Sequence, residues 1–219
     1  MTLLRTHGWR IALVTSAAAA LVGGPMHPSA DAEDPLREEL ATMTAHPNWV
    51  PAHSLLVLSA VLLAIGLAAA YRGRAWPTAH KALGVAALAV SLYVVETIFH
   101  LAAAVDSHEL HHGDQAPVAY THLGLSVLLY PLAGLAIAYL ASRQVTTWHG
   151  PRRVTGVPGV VGGTLHALAV PLTLAQPTAE LTPVFAGATV LIAVWSLATG
   201  LAGAPAPVVA PPSPALVTV

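Results

Sequence analysis

The chain has 219 residues, of which 55% are hydrophobic and only 9% charged, with 9 Lys and Arg against 10 Asp and Glu. Its mean hydropathy is +0.67. A soluble domain carries about 25% charged residues, so the composition excludes a water-soluble globule and predicts an all-α polytopic membrane bundle in contact with a lipid bilayer. There is no cysteine, which excludes disulfides, thiolate metal sites, iron–sulfur clusters and covalently attached c-type haem. No basic run is long enough for a nucleic-acid footprint. The 12 histidines outnumber Lys and Arg together and are the compositional anomaly.

The N-terminal region, 1–32, has two readings. Arg5 and Arg10, a short apolar run from Ile11 to Gly24, and Ala30-Asp31-Ala32 have the order of a secretory signal with an A-x-A cleavage site. The alternative is a first transmembrane helix. The run is short for a span, which favours the signal peptide. Either way residues 33–51 form an extracytoplasmic segment. Within it, Asp34 and Pro35 open a short surface helix over Asp34–Thr44.

Five segments then approach the roughly 20 apolar residues that cross a bilayer core: Ala52–Tyr71, Ala82–Val105, Val118–Ala141, Val157–Ala175 and Pro183–Gly203. They make 52–203 the transmembrane bundle. Pro158, Gly159, Gly162, Gly163 and Pro171 interrupt the fourth of these segments. The tail 204–219 is Pro-rich and reads as extended or disordered. Arg72, Arg74 and Lys81 share one loop and Arg143, Arg152 and Arg153 another, whereas Asp106, Glu109, Asp114 and Glu180 occupy the intervening loops. The positive-inside rule puts the Arg-rich loops and the C-terminus in the cytoplasm and the His-rich loop outside, in a multi-pass cell-membrane protein. His53 to His122 is 69 residues, as is His80 to His149. With His100 and His166 offset similarly, 52–105 and 121–175 read as two helical-hairpin repeats of one orientation.

The motif that first suggests chemistry is His108-Glu109-Leu110-His111-His112, an H-E-x-x-H pattern. Its loop is too short for a catalytic domain, and no later span holds Asp or Glu as a further ligand. No catalytic residue is assigned and whether the chain is an enzyme stays open. The plain alternative for this loop is a solvated, loosely metal-binding linker.

Depth brings out a second group. At 1.5 Å per residue, Glu96 stands about 22 Å and His100 about 28 Å above Lys81. His53, His100, His122 and His166, each on a different span, thus approach the outer half of the bundle, with Glu96 one turn below His100. If the helix continues past Val105, Glu96, His100, His108 and His111 or His112 form one stripe. A carboxylate inside a span is a functional candidate by default; for the histidines the plain alternative is hydrogen bonding across helices. His80 and His149 fall in cytoplasmic turns, and His7, His27 and His46 carry no distinguishing signal.

Two chemical readings follow. Paired imidazoles on opposing helices suit haem b. In topology and His spacing over about residues 50–175 the chain resembles cytochrome b561-type membrane cytochromes. That resemblance implies electron transfer with His53 paired to His122 and His100 paired to His166; the chain departs from it in placing both pairs toward one face. In the other reading, His53, Glu96, His100 and His122 hold a divalent ion (Zn, Cu, Mn or Fe) that His108, His111 and His112 help collect. This covers metal transport, sensing or a metal-dependent intramembrane hydrolase. A third class is a non-catalytic accessory subunit that packs on a membrane redox or assembly partner through small-residue helices.

Overall fold

The computed structural model describes residues 2–29, 34–176 and 179–203. The A-x-A sequence at 30–32 and the Pro-rich tail from 204 lie outside the described residues. Among the described residues the chain is all-helical, and six helices are long and apolar enough to cross a membrane.

The elements in chain order are α1 (Thr2–Met26), α2 (Leu36–Ala45), α3 (Trp49–Arg72), α4 (His80–Ala102), α5 (Ser107–His112), α6 (Pro117–Thr147), α7 (Gly156–Ala175) and α8 (Thr182–Ala202). Short 3-10 turns precede α4, α5 and α7. Each long helix packs on its neighbours in the chain, and α8 returns to α1, so that α1-α3-α4-α6-α7-α8 close a ring.

The apolar run from Ile11 to Gly24 is therefore part of a 25-residue helix inside this ring. Leu13 is fully buried. Ser16 Oγ donates to the Ser59 carbonyl on α3 at 2.9 Å, and Ser196 Oγ on α8 donates to the Leu13 carbonyl at 2.9 Å. Arg10 donates from Nε to the Gly200 carbonyl at 2.8 Å and from its terminal nitrogen to the Leu201 carbonyl. Those carbonyls end α8 and have no helical partner of their own, which is why a guanidinium suits them. An N-terminal charge that resembles a signal sequence thus closes the bundle.

The glycines and prolines of the fourth sequence segment do not interrupt α7. Pro158 lies in its first turn, where a missing N–H costs nothing. The glycines set how closely it packs. A Cβ on Gly163 would lie 2.7 Å from both the Gly134 carbonyl oxygen and the Ala138 nitrogen of α6. Close backbone approach of this kind is how helices associate in lipid, where apolar surface alone gives no preference between neighbours.

The two ends of the ring are finished differently. At the Arg-rich end Trp76 packs edge-on to Trp9 (5.8 Å between ring centres) and to Trp148 (5.4 Å). At the opposite end α2 lies on α5. Arg37 ties the two by donating to the carbonyls of Leu110 at 2.9 Å, Glu109 at 2.8 Å and Asp114 at 2.6 Å. Leu40, Ala41, Trp49, Ala103, Leu110, Ala116 and Ala119 form a small separate core beneath this lid.

Candidate metal centre

Under the lid, α3, α4, α6 and the residues just after α1 bring five ligand-type side chains together. His53 lies in the second turn of α3 and is 2% exposed. Glu96 and His100 lie one turn apart on α4, with Glu96 fully buried. His122 lies in the second turn of α6, and His27 follows the end of α1. His27, His53 and His100 form one group and Glu96, His100 and His122 another; within each, one ligand atom per residue lies within 4.8 Å of the others. His100 belongs to both.

The hydrogen bonds assign the faces of these rings. His53 Nδ1 lies 2.8 Å from the carbonyl of Trp49, one turn earlier. A carbonyl only accepts, so Nδ1 carries the proton and Nε2 keeps a lone pair. His27 Nδ1 likewise meets the Pro28 carbonyl at 2.6 Å and leaves Nε2 as its free nitrogen. Anchoring one imidazole N–H on a backbone carbonyl is the usual arrangement of a metal-ligating histidine. Burial, the largest influence on His27, holds its imidazole below the ordinary range, which favours the neutral form.

His53 Nε2 is 3.2 Å from His100 Nε2. Since His53 offers a lone pair there, a neutral His100 donates from Nε2 and turns the lone pair of Nδ1 the other way. That nitrogen faces Glu96 Oε1 at 3.9 Å, and His122 Nδ1 approaches the same oxygen at 2.8 Å. Neither Glu96 oxygen has an aligned hydrogen bond, nor does His122 Nδ1. A buried carboxylate therefore stands among imidazole nitrogens, the nearest 2.8 Å away, without a well-aligned hydrogen bond. Such an arrangement is costly unless the carboxyl takes up a proton or a cation occupies it.

Aromatic packing fixes the rings. Trp49 lies against His53 with 3.9 Å between ring centres and against His100 at 5.3 Å. Its Nε1 donates to the Leu101 carbonyl at 3.2 Å, which joins α3 to the end of α4. His100 and His122 stack at 3.9 Å with 19° between their planes.

Four of the residues expected from the sequence thus meet: His53, Glu96, His100 and His122. His166 joins neither donor group; it stacks on Tyr130 at 4.5 Å and meets Tyr93 edge-on at 5.1 Å. The expected stripe from Glu96 to the loop does not form either. After Ala102 the helix tightens into a 3-10 turn and restarts as α5. The carboxylate of Asp106 turns away to accept from Val118 N at 2.6 Å and Ala119 N at 2.9 Å, capping α6. His108, His111 and His112 are exposed on α5.

The H-E-x-x-H motif does lie on a helix, and His108 and His112 face each other at 4.1 Å. Among the described residues no third ligand atom joins them, and Gly113, with φ +81°, ends the helix at once. His27 is the residue that the sequence reading passed over. Its signal lies in its place: it immediately follows an apolar run that, counted as a span, ends on the same side as His53, His100 and His122.

Compared with protein-family models, with curated proteins and with solved structures, the chain matches none.

Proposed function

We propose that this is a multi-pass membrane protein that binds a divalent transition metal ion through Glu96, His100 and His122, with His53 and His27 beside them. One observation carries the reading: the buried carboxylate of Glu96 faces two imidazole nitrogens and has no aligned hydrogen-bond donor. The donor set of nitrogen and carboxylate oxygen suits Zn²⁺, Cu²⁺, Mn²⁺ or Fe²⁺, and the absence of Cys argues against Cu⁺. Two donors on one tetrahedral ion with 2.0–2.1 Å bonds stand about 3.3 Å apart. The 2.8 and 3.9 Å separations of Glu96 Oε1 from His122 Nδ1 and His100 Nδ1 bracket that value. The positive-inside rule, applied to the Arg clusters, puts the site on the extracytoplasmic side.

The ion reading is favoured over haem. A bis-imidazole haem requires two ligands held apart with the macrocycle between them. Here His100 and His122 stack directly and His53 contacts His100, while His166 packs against tyrosines. The polar cluster within a small-residue bundle likewise favours metal binding over a purely structural accessory role.

Elemental analysis of the detergent-purified protein, with a reduced-minus-oxidised spectrum of the same sample, tests the proposal. The expected result is a bound transition metal that Glu96→Gln diminishes, with no haem bands. A stoichiometric b-type spectrum, or metal-free protein that takes up no added Zn²⁺ or Co²⁺, overturns it.

A further inference from the structure

Two donor groups share one histidine, and that histidine presents a different nitrogen to each. His100 Nε2 faces His53 at 3.2 Å, and His100 Nδ1 faces Glu96 at 3.9 Å. We infer that His100 serves two neighbouring metal positions in turn, an outer one with His27 and His53 and an inner one with Glu96 and His122, and hands a single divalent ion from the first to the second. The inference rests on the metal-binding reading above.

The outer position is made of three imidazoles. His27 and His53 each have Nδ1 anchored on a backbone carbonyl, and so direct Nε2 as the ligand atom. His27 is the most open of the five donors, which makes this position the point of entry. Its ligands are neutral, so an ion held there keeps its full double charge. The inner position adds one carboxylate that is fully buried. An ion there is offset by one negative charge, and the attraction is strong because water is excluded. The electrostatic gradient therefore runs from outer to inner.

One ion at a time follows from the same accounting of charge. Two dications separated by a single imidazole would place four positive charges in a dry interior against one carboxylate.

The handover conserves protons. A neutral imidazole has one. While Nε2 holds the ion the proton is on Nδ1, toward Glu96. Once Nδ1 holds the ion, the proton is on Nε2 and donates to His53 Nε2. One proton passes from Nδ1 to solvent and one returns from solvent to Nε2, reached past His27, the most open donor, so the net proton count is unchanged.

Co²⁺ is the probe, added to the full chain in detergent, with ligand type read by X-ray absorption and loading followed by its visible absorbance. The wild-type protein should bind one Co²⁺ with a mixed imidazole and carboxylate shell. Glu96→Gln should still bind one, at least about tenfold more weakly, in an imidazole-only shell. His27→Asn should reach the wild-type endpoint more slowly. Two Co²⁺ per wild-type chain would overturn the single-ion handover. A monodisperse Glu96→Gln protein that binds none, or His27→Asn loading at the wild-type rate, would overturn the outer position. Wild-type protein that takes up no Co²⁺ would instead overturn the metal-binding reading itself. Should Glu96→Gln fail to stay monodisperse, the His27→Asn loading rate decides the question.

Discussion

His100 and His166 occupy the same ring of helices and are both largely buried, with 17% of the His100 side chain and 7% of His166 exposed. Their surroundings differ completely. Around His100 stand Glu96, His53, His122 and His27, every one a potential ligand. Around His166 stand the rings of Tyr93 and Tyr130. Burial alone therefore does not distinguish a ligand from a packed histidine in a membrane bundle. Convergence of donors does, together with anchoring of the far nitrogen, as in His53 on the Trp49 carbonyl.

The largest expected effect separates function from stability at Glu96. Glu96→Leu should weaken metal binding at least about tenfold and leave an imidazole-only shell, yet keep the metal-free protein as stable as wild type or more so, by up to about 1–4 kcal/mol. Replacing buried charge with apolar volume often has that outcome. Thermal melts with and without metal measure both; a metal-free variant that unfolds would make Glu96 a structural residue and erase its contrast with His166.

A smaller effect is expected at Trp49. Trp49→Phe keeps a ring beside His53 but removes the bond to Leu101. Metal affinity should fall about tenfold, as for residues that orient ligands, measured by competition with a chelator. Asp106→Ala should cost about 0.5–2 kcal/mol in a melt by uncapping α6 while the metal stoichiometry stays unchanged. Lost stoichiometry would show that the lid and the centre are one unit.

The smallest effect sharpens the comparison most. His166→Phe should retain the stack on Tyr130 and change stability by about 1 kcal/mol or less, the scale of an aromatic pair. Bound metal should be undiminished. If His166→Phe weakens metal binding as much as Glu96→Leu does, the distinction between the two histidines fails and the paired-ligand arrangement returns.

Much of this was readable in one dimension. Apolar length identified the spans from α3 onward, and helical rise brought His53, Glu96, His100 and His122 to a common depth. The same reasoning also brought His166 there, because depth says nothing about which way a side chain points around the helix axis. His27 was hidden by a different cause. With Ile11–Gly24 read as either a signal peptide or a first span, the sequence left no basis for counting His27 among the donors; the contacts of Arg10, Leu13 and Ser16 within the ring supply it. The H-E-x-x-H motif overstated its case in the opposite direction: spacing put His108 and His112 together correctly, but no third donor meets them.

Composition by itself determined that this chain forms membrane-spanning helices, since 9% charged residues cannot solvate a globule of this size and backbone polar groups in lipid must bond within their own segment. Only the tertiary structure decided which histidines face one another. Helix rotation in a bilayer is set by close fits such as Gly163 against Gly134, and not by an apolar face seeking cover. With lipid as apolar as the helices themselves, hydrophobic pattern leaves rotation undetermined, and packing turned Glu96 and His100 toward His122 and His53.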